Sequence, residues 1–169
     1  SGRDVGQLLV ESPQVQAISF TGLVPVGRGI AQAAVGNFTR VQLEMGSKNA
    51  LAVMDDADLD IAVACALNGA FGSTGQKCTA SSRLVVHRDI HDEFVSRLVE
   101  GANKMVVGHA LEVGSQMGPV ASAEQLQQNL ANVALAQQEG GELLCGGEQV
   151  ERATEGYYMT PAVVAGTRN

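Results

Sequence analysis

A chain of 169 residues with 45% hydrophobic content can bury a real core, as one domain or two small ones, although only 4% of it is aromatic and it has no Trp. Its net charge of −7 excludes a phosphate-backbone binder, because nucleic-acid binding needs a basic footprint. No stretch approaches the run of about 18 apolar residues that spans a membrane, and the opening S-G-R-D-V-G lacks the apolar core of a signal peptide, so a soluble, cytoplasmic protein is expected.

In chain order, residues 5–9 read as a short helix, Ser12-Pro13 as a turn, and V-Q-A-I-S-F as a strand. The strand runs into T-G-L-V-P-V-G-R-G-I-A-Q-A-A-V, which is helical in pattern, with Ile30, Ala33 and Ala34 on one face and Pro25 in the first turn. Strand, glycine turn and helix together aim free N–H groups at an anion, typically a phosphate. The spacing Gly22-x-x-x-x-Gly27 alone fits a plain tight turn better than a phosphate cradle.

The next strand, T-R-V-Q-L-E-M-G, sets Val41 and Leu43 on one face and Gln42 and Glu44 on the other. A carboxylate at the C-terminal end of such a strand sits where open α/β sheets bind ligands. The ordinary alternative is a solvated strand end, which Gly46 weakens because glycine lets backbone approach a ligand. K-N-A-L-A-V-M is a further strand. Asp58 and Asp60 begin a helix over 59–71, where their charge complements the helix dipole, and they lack the pattern of a calcium loop.

The three cysteines are Cys65, Cys78 and Cys145, an odd number with irregular spacing that fits reduced thiols better than a disulfide framework. No Cys-x-x-Cys or His-x-x-x-His pair suggests a metal, and none is expected. Cys65 lies inside A-V-A-C-A-L and reads as a buried, inert thiol; Cys145 reads as structural. Cys78 follows G-S-T-G-Q-K in a polar turn. Two readings stand open: a thiolate favoured by backbone N–H groups and Lys77, or a small residue filling a loop. Glu44 and Cys78, 34 positions apart, bracket the helical segment as a candidate base and nucleophile.

Asp89 is expected to cap an amphipathic helix that buries Ile90, Phe94, Leu98 and Met105. A glycine-rich apolar connection follows, and then a helix over 122–140 with Leu126, Leu130, Val133 and Ala134 facing inward. E-L-L-C-G-G and Y-Y-M-T-P-A-V-V read as closing strands. His87, His91 and His109 read as surface or strand-end residues, since their order matches no local thiol-hydrolase pattern.

The succession F-T-G-x-x-x-V-G-R, L-E-M-G-S-K-N, D-A-D-L-D-x-A, G-Q-K-C-T and S-R-L-V-V resembles the NAD(P)-dependent aldehyde dehydrogenase superfamily. The closing G-Y-Y-M-T-P-A-V-V extends the resemblance over the whole chain. It implies an α/β fold: the end of a Rossmann-type cofactor domain over 1–45 and most of an α/β catalytic domain with an open sheet over 46–169. It further implies Cys78 as nucleophile and Glu44 as general base, NAD or NADP as cofactor, and cofactor-binding positions at Thr21, Gly22, Leu23, Gly27 and Gly46. Aldehyde oxidation through a cysteine thiohemiacetal and thioester, in a homo-oligomer, is the activity implied.

Three departures stand out. Leu23 replaces the usual Ser of the phosphate turn, Ser47 replaces the second glycine after the base, and family members are roughly three times longer than this chain, more than one domain of this size would hold. An internal fragment, inactive alone, is therefore expected. G-S-K-N with G-Q-K-C-T-A-S-S-R is similar to the branch acting on 2-oxoglutarate semialdehyde, which implies an acidic aldehyde, with Lys77 able to attract its carboxylate. The rivals are a Cys-dependent esterase or acyltransferase and a non-catalytic structural module.

Overall fold

The computed structural model describes residues 2–167. Ser1, Arg168 and Asn169, which include both outer limits of the expected domains, lie outside them. The chain divides into two compact units, Ser1–Ser47 and Lys48–Asn169.

The first unit opens with a π-helical turn, Gly2–Gly6, that continues into α1, Gln7–Glu11. Strand β1, Ala17–Gly22, leads through α2, Val24–Asn37, to β2, Arg40–Met45. β1 and β2 pair in parallel, which a helical crossover such as α2 makes possible. Pro25 occupies the first turn of α2, where its missing N–H costs nothing. Gly27, Ile30 and Ala34 form its buried stripe, with Ala33 half-buried beside them. Val41 is more exposed than its strand face suggests, since only Leu43 and Met45 further along are partly covered.

The second unit repeats this order. Strand β3, Asn49–Val53, crosses through α3, Leu59–Phe71, to the parallel strand β4, Ser81–Val86. Asp58 caps α3 by accepting from the N–H groups of Asp60 and Ile61 at 3.0 and 3.1 Å. Asp60 is bound instead to Arg97 at 2.7 Å, so both aspartates have structural work. Helix α4, His91–Lys104, buries Phe94, Leu98 and Ala102 at successive fourth positions, and Phe94 and Leu98 pack with Val53 and Ala66 in the main core. Beyond it, Val107, Met117 and Tyr158 form a second cluster, and Val120, Leu126 and Met159 a third, beneath α5, Ala123–Gln138. Strands β5, Glu142–Cys145, and β6, Val163–Ala165, close the unit as an antiparallel pair. Among the described residues the fold is thus α/β with three open two-stranded sheets. No helix among the described residues is long and apolar enough to cross a membrane.

Four expectations need correction. Cys65 is exposed, not buried. α3 is apolar nearly all round; it turns Ala62, Val63, Ala66 and Leu67 to the core and leaves Ile61, Ala64, Cys65 and Asn68 outside. Asp89 caps nothing. It lies in a 3-10 turn, Arg88–Ile90, and its N–H donates to Nδ1 of His87, so the imidazole serves as the cap. Ala134 is exposed, because the covered side of α5 runs along Leu126, Leu130 and Val133 and Ala134 lies off that line. The final strand is confined to residues 163–165, and 157–159 contribute isolated bridges only, with Pro161 between them unable to donate to a ladder.

Candidate active site

In the first unit the parallel register sets Thr21 beside Glu44 and Gly22 beside Met45. Thr21, Gly22, Leu23, Glu44 and Gly46 therefore share the carboxyl edge of the β1–β2 pair, the edge at which parallel sheets receive ligands. Glu44 is exposed there. Leu23 is the N-cap of α2, has no side-chain oxygen to offer, and stands 72% exposed. Gly27 belongs to the helix proper, and its N–H is taken by the carbonyl of Leu23 at 3.0 Å. A Cβ there would fall 2.6 Å from Sδ of Met45, so the glycine serves close helix–strand packing. The donors left at this helix start are the N–H groups of Val24 and Val26, which have no intrahelical carbonyl, while Pro25 has none to give. An anion held by main chain alone fits this arrangement.

A hydroxyl at position 23 would supply both a cap and a further donor. Leu23→Ser is expected to stabilise the first unit by about 1 kcal/mol. Thermal melting checks this. A lower melting temperature in the variant would refute it.

In the second unit, Cys78 is exposed in the turn Lys77–Ala80, which the N–H of Ala80 closes onto the carbonyl of Lys77 at 3.1 Å. Upstream, the 3-10 turn Gly72–Gly75 holds Ser73, Thr74 and Gly75 at φ 54, 57 and 68°. Left-handed backbone at the two non-glycine residues costs about 1–3 kcal/mol each, and such strain persists only where neighbours over-determine it. Gly75 is obligatory on two counts, since a Cβ would also meet the carbonyl oxygen of Ala70 at 2.6 Å. Gln76 is the chief restraint: its N–H donates to Ser73, its Nε2 to Oγ1 of Thr74 at 2.6 Å, and its Oε1 accepts from the N–H of Ala121 at 3.2 Å.

From the other side, Nδ2 of Asn49 donates to the carbonyls of Cys78 at 2.7 Å and Ala80 at 3.1 Å. Nε and a terminal nitrogen of Arg83 in turn donate to the carbonyl of Lys48 at 3.1 and 2.7 Å. Asn49, Gln76 and Arg83 lie inside the sequence blocks that flank the site, yet sequence reasoning gave them no role. A strand-opening Asn, a residue type disfavoured in strands, is the one signal that could have found Asn49.

Lys77 is exposed, and its Nζ lies 3.3 Å from where a Cβ on Gly72 would stand, beside Oδ1 of Asn68. Its charge therefore meets the negative end of α3. Cys145 is half-buried in β5, and burial pushes its thiol above the ordinary range, which leaves it protonated and unreactive at neutral pH. The histidines are locally engaged: His87 caps a turn, His91 meets Asp92, and Nδ1 of His109 accepts from the N–H of Leu111.

The sequence model described as "Aldehyde dehydrogenase family" matches residues 1–169. The chain is 44% identical over 164 residues to an alpha-ketoglutaric semialdehyde dehydrogenase of Bacillus subtilis, covering 96% of this chain and 34% of that protein. It is 42% identical, with the same coverages, to a betaine aldehyde dehydrogenase of Rhizobium johnstonii. Among solved structures, the betaine aldehyde dehydrogenase of Staphylococcus aureus in complex with NAD+ superposes with a TM-score of 0.90 at 34% identity, over 97% of this chain and 33% of that one. The chain thus spans about a third of the length of the relatives it matches. On sequence and on fold alike, it belongs to the aldehyde dehydrogenase family.

Proposed function

We propose that the protein carrying this chain oxidises an aldehyde to its carboxylic acid, with Cys78 as nucleophile and Glu44 as general base. The observation that carries this reading is an exposed thiol in a turn whose main chain is fixed from both sides. In this reading the first unit belongs to the cofactor-binding part of the protein and the second to its catalytic part.

The sulfur of Cys78 adds to the aldehyde carbon: a C–S bond forms, the carbonyl π bond opens onto oxygen, and the thiol proton passes to solvent. A nicotinamide dinucleotide, NAD or NADP, supplies when bound the hydride acceptor that the oxidation requires. The acyl group is then held on Cys78 as a thioester, which stays electrophilic enough for water. Glu44 takes a proton from that water as it adds to the carbonyl; the C–S bond breaks, and acid and thiol are released. The N–H groups of Val24 and Val26 would hold the dinucleotide's phosphates, beside Thr21, Gly22, Leu23 and Gly46 at the same strand edge.

An acidic short-chain aldehyde is the proposed substrate class. Its support is the relative at 44% identity rather than Lys77, whose ammonium sits at the end of α3. The assay is aldehyde-dependent NADH or NADPH formation by the protein carrying this chain, with anionic, neutral and quaternary ammonium aldehydes compared. The anionic aldehyde is expected to give the highest kcat/KM. Ester hydrolysis with no dinucleotide dependence and no reduced cofactor would overturn the oxidoreductase reading in favour of a thiol esterase.

A further inference from the structure

We propose that Asn49 is a positioning residue for the Cys78 thiol, an inference that rests on Cys78 being the nucleophile. Strands β3 and β4 pair Asn49 with Ser81, and their register then shifts, so that the regular ladder begins only at Ala50 and Arg83. The ladder is interrupted at that shift, and beside it the Asn49 carboxamide adds two side-chain bonds across the strands. Its single nitrogen gives both protons to carbonyls two residues apart, those of Cys78 and Ala80. The clamp is reciprocal, since Arg83 on the β4 side holds the carbonyl of Lys48 on the β3 side.

Holding two strand ends together would need only the bond to Ala80, next to β4. The shorter bond, 2.7 Å, goes instead to the residue that carries the thiol. It fixes the peptide plane between Cys78 and Thr79, and with it the direction of the Cα–Cβ bond from which the sulfur is carried. On the far side of the cysteine, Gln76 secures the left-handed turn in the same way, with a carboxamide that both donates and accepts. The thiol thus sits between two amide clamps on an otherwise strained and exposed loop, which is where a displacement of about 1 Å costs on the order of 100-fold in rate.

The test uses Asn49→Ala and Asn49→Asp in the protein carrying this chain. Asn49→Ala is expected to lower kcat by about 10- to 100-fold while the KM for the dinucleotide stays within about twofold, because the lost bonds orient sulfur and do not touch the cofactor. Asn49→Asp keeps the shape but turns a carboxylate on two carbonyl oxygens. It is expected to lose more activity and to move the pH midpoint of Cys78 alkylation upward, since a new negative charge beside the thiolate disfavours it. Alkylation by iodoacetamide is followed on the Cys78 peptide by mass spectrometry.

If Asn49→Ala melts earlier yet keeps kcat and the alkylation profile of the native protein, Asn49 merely ties the sheet and the proposal is overturned. Should that variant fail to fold, Asn49→Ser, whose shorter side chain keeps a single hydroxyl donor and cannot bond both carbonyls, carries the same comparison. Full activity in Cys78→Ala would instead sink the assignment of the nucleophile itself. An inactive Cys78→Ala beside fully active Asn49 variants would sink the positioning role alone.

Discussion

Cys78→Ala is expected to abolish aldehyde-dependent formation of reduced dinucleotide, with kcat falling by at least about 10⁴-fold, or roughly 5.5 kcal/mol of transition-state stabilisation. No other thiol of the chain is placed to substitute. Cys145 is half-buried with its thiol held in the protonated form, and Cys65 projects from the outer face of α3. Dinucleotide binding should survive, because the main-chain donors at the start of α2 belong to the other unit. Calorimetric titration with dinucleotide therefore separates loss of chemistry from loss of fold. Residual turnover at the native rate, in a protein that still binds dinucleotide, would remove Cys78 from the mechanism.

Glu44→Gln is expected to act later in the cycle. The amide keeps the shape and the strand position of the carboxylate at the carboxyl edge of β2, but it cannot accept a proton from water. Steady-state turnover should fall by about 10²- to 10⁴-fold, the usual contribution of a general base. The first turnover should still deliver a burst of reduced dinucleotide close to the enzyme concentration, since the acyl group is trapped on sulfur rather than never formed. Mass spectrometry of the quenched reaction should then show Cys78 heavier by the acyl group. Steady-state rates equal to those of the native protein would exclude Glu44 as the base. Loss of the burst together with the steady state would move its role to thiol deprotonation.

Local chemistry made several elements legible to the residue. Asp58 before a run of small apolar side chains marked the start of α3. Pro25 marked the first turn of α2, and the alternation in T-R-V-Q-L-E-M announced β2. The stripe of Phe94 and Leu98 in α4 was equally plain, because only one face of that helix is apolar. α3 shows the opposite case. A helix apolar on every side does not encode which side is covered, so the exposure of Cys65 depended on where α4 packs. The cap at residue 89 failed for a related reason: a 3-10 turn, Arg88–Ile90, capped by the His87 imidazole, carries Asp89 and precedes α4, which starts at His91 without a side-chain cap.

The sequence by itself determined the order of parts: two strand–helix–strand segments, a carboxylate at the end of one strand, a cysteine in a glycine turn before another, and the family they jointly spell. These are legible because periodicity, caps and turn residues act over a few neighbouring positions. Only the tertiary structure decided what holds the cysteine's backbone. Asn49 is 29 residues from Cys78 and Gln76 is 45 from Ala121, and a register shift between two strands cannot be read from either strand alone. A hydrogen bond between distant residues exists only once the crossover helix has set both strands in place. The thiol was therefore visible from the first reading, and the two amides that hold its turn became visible only with the fold.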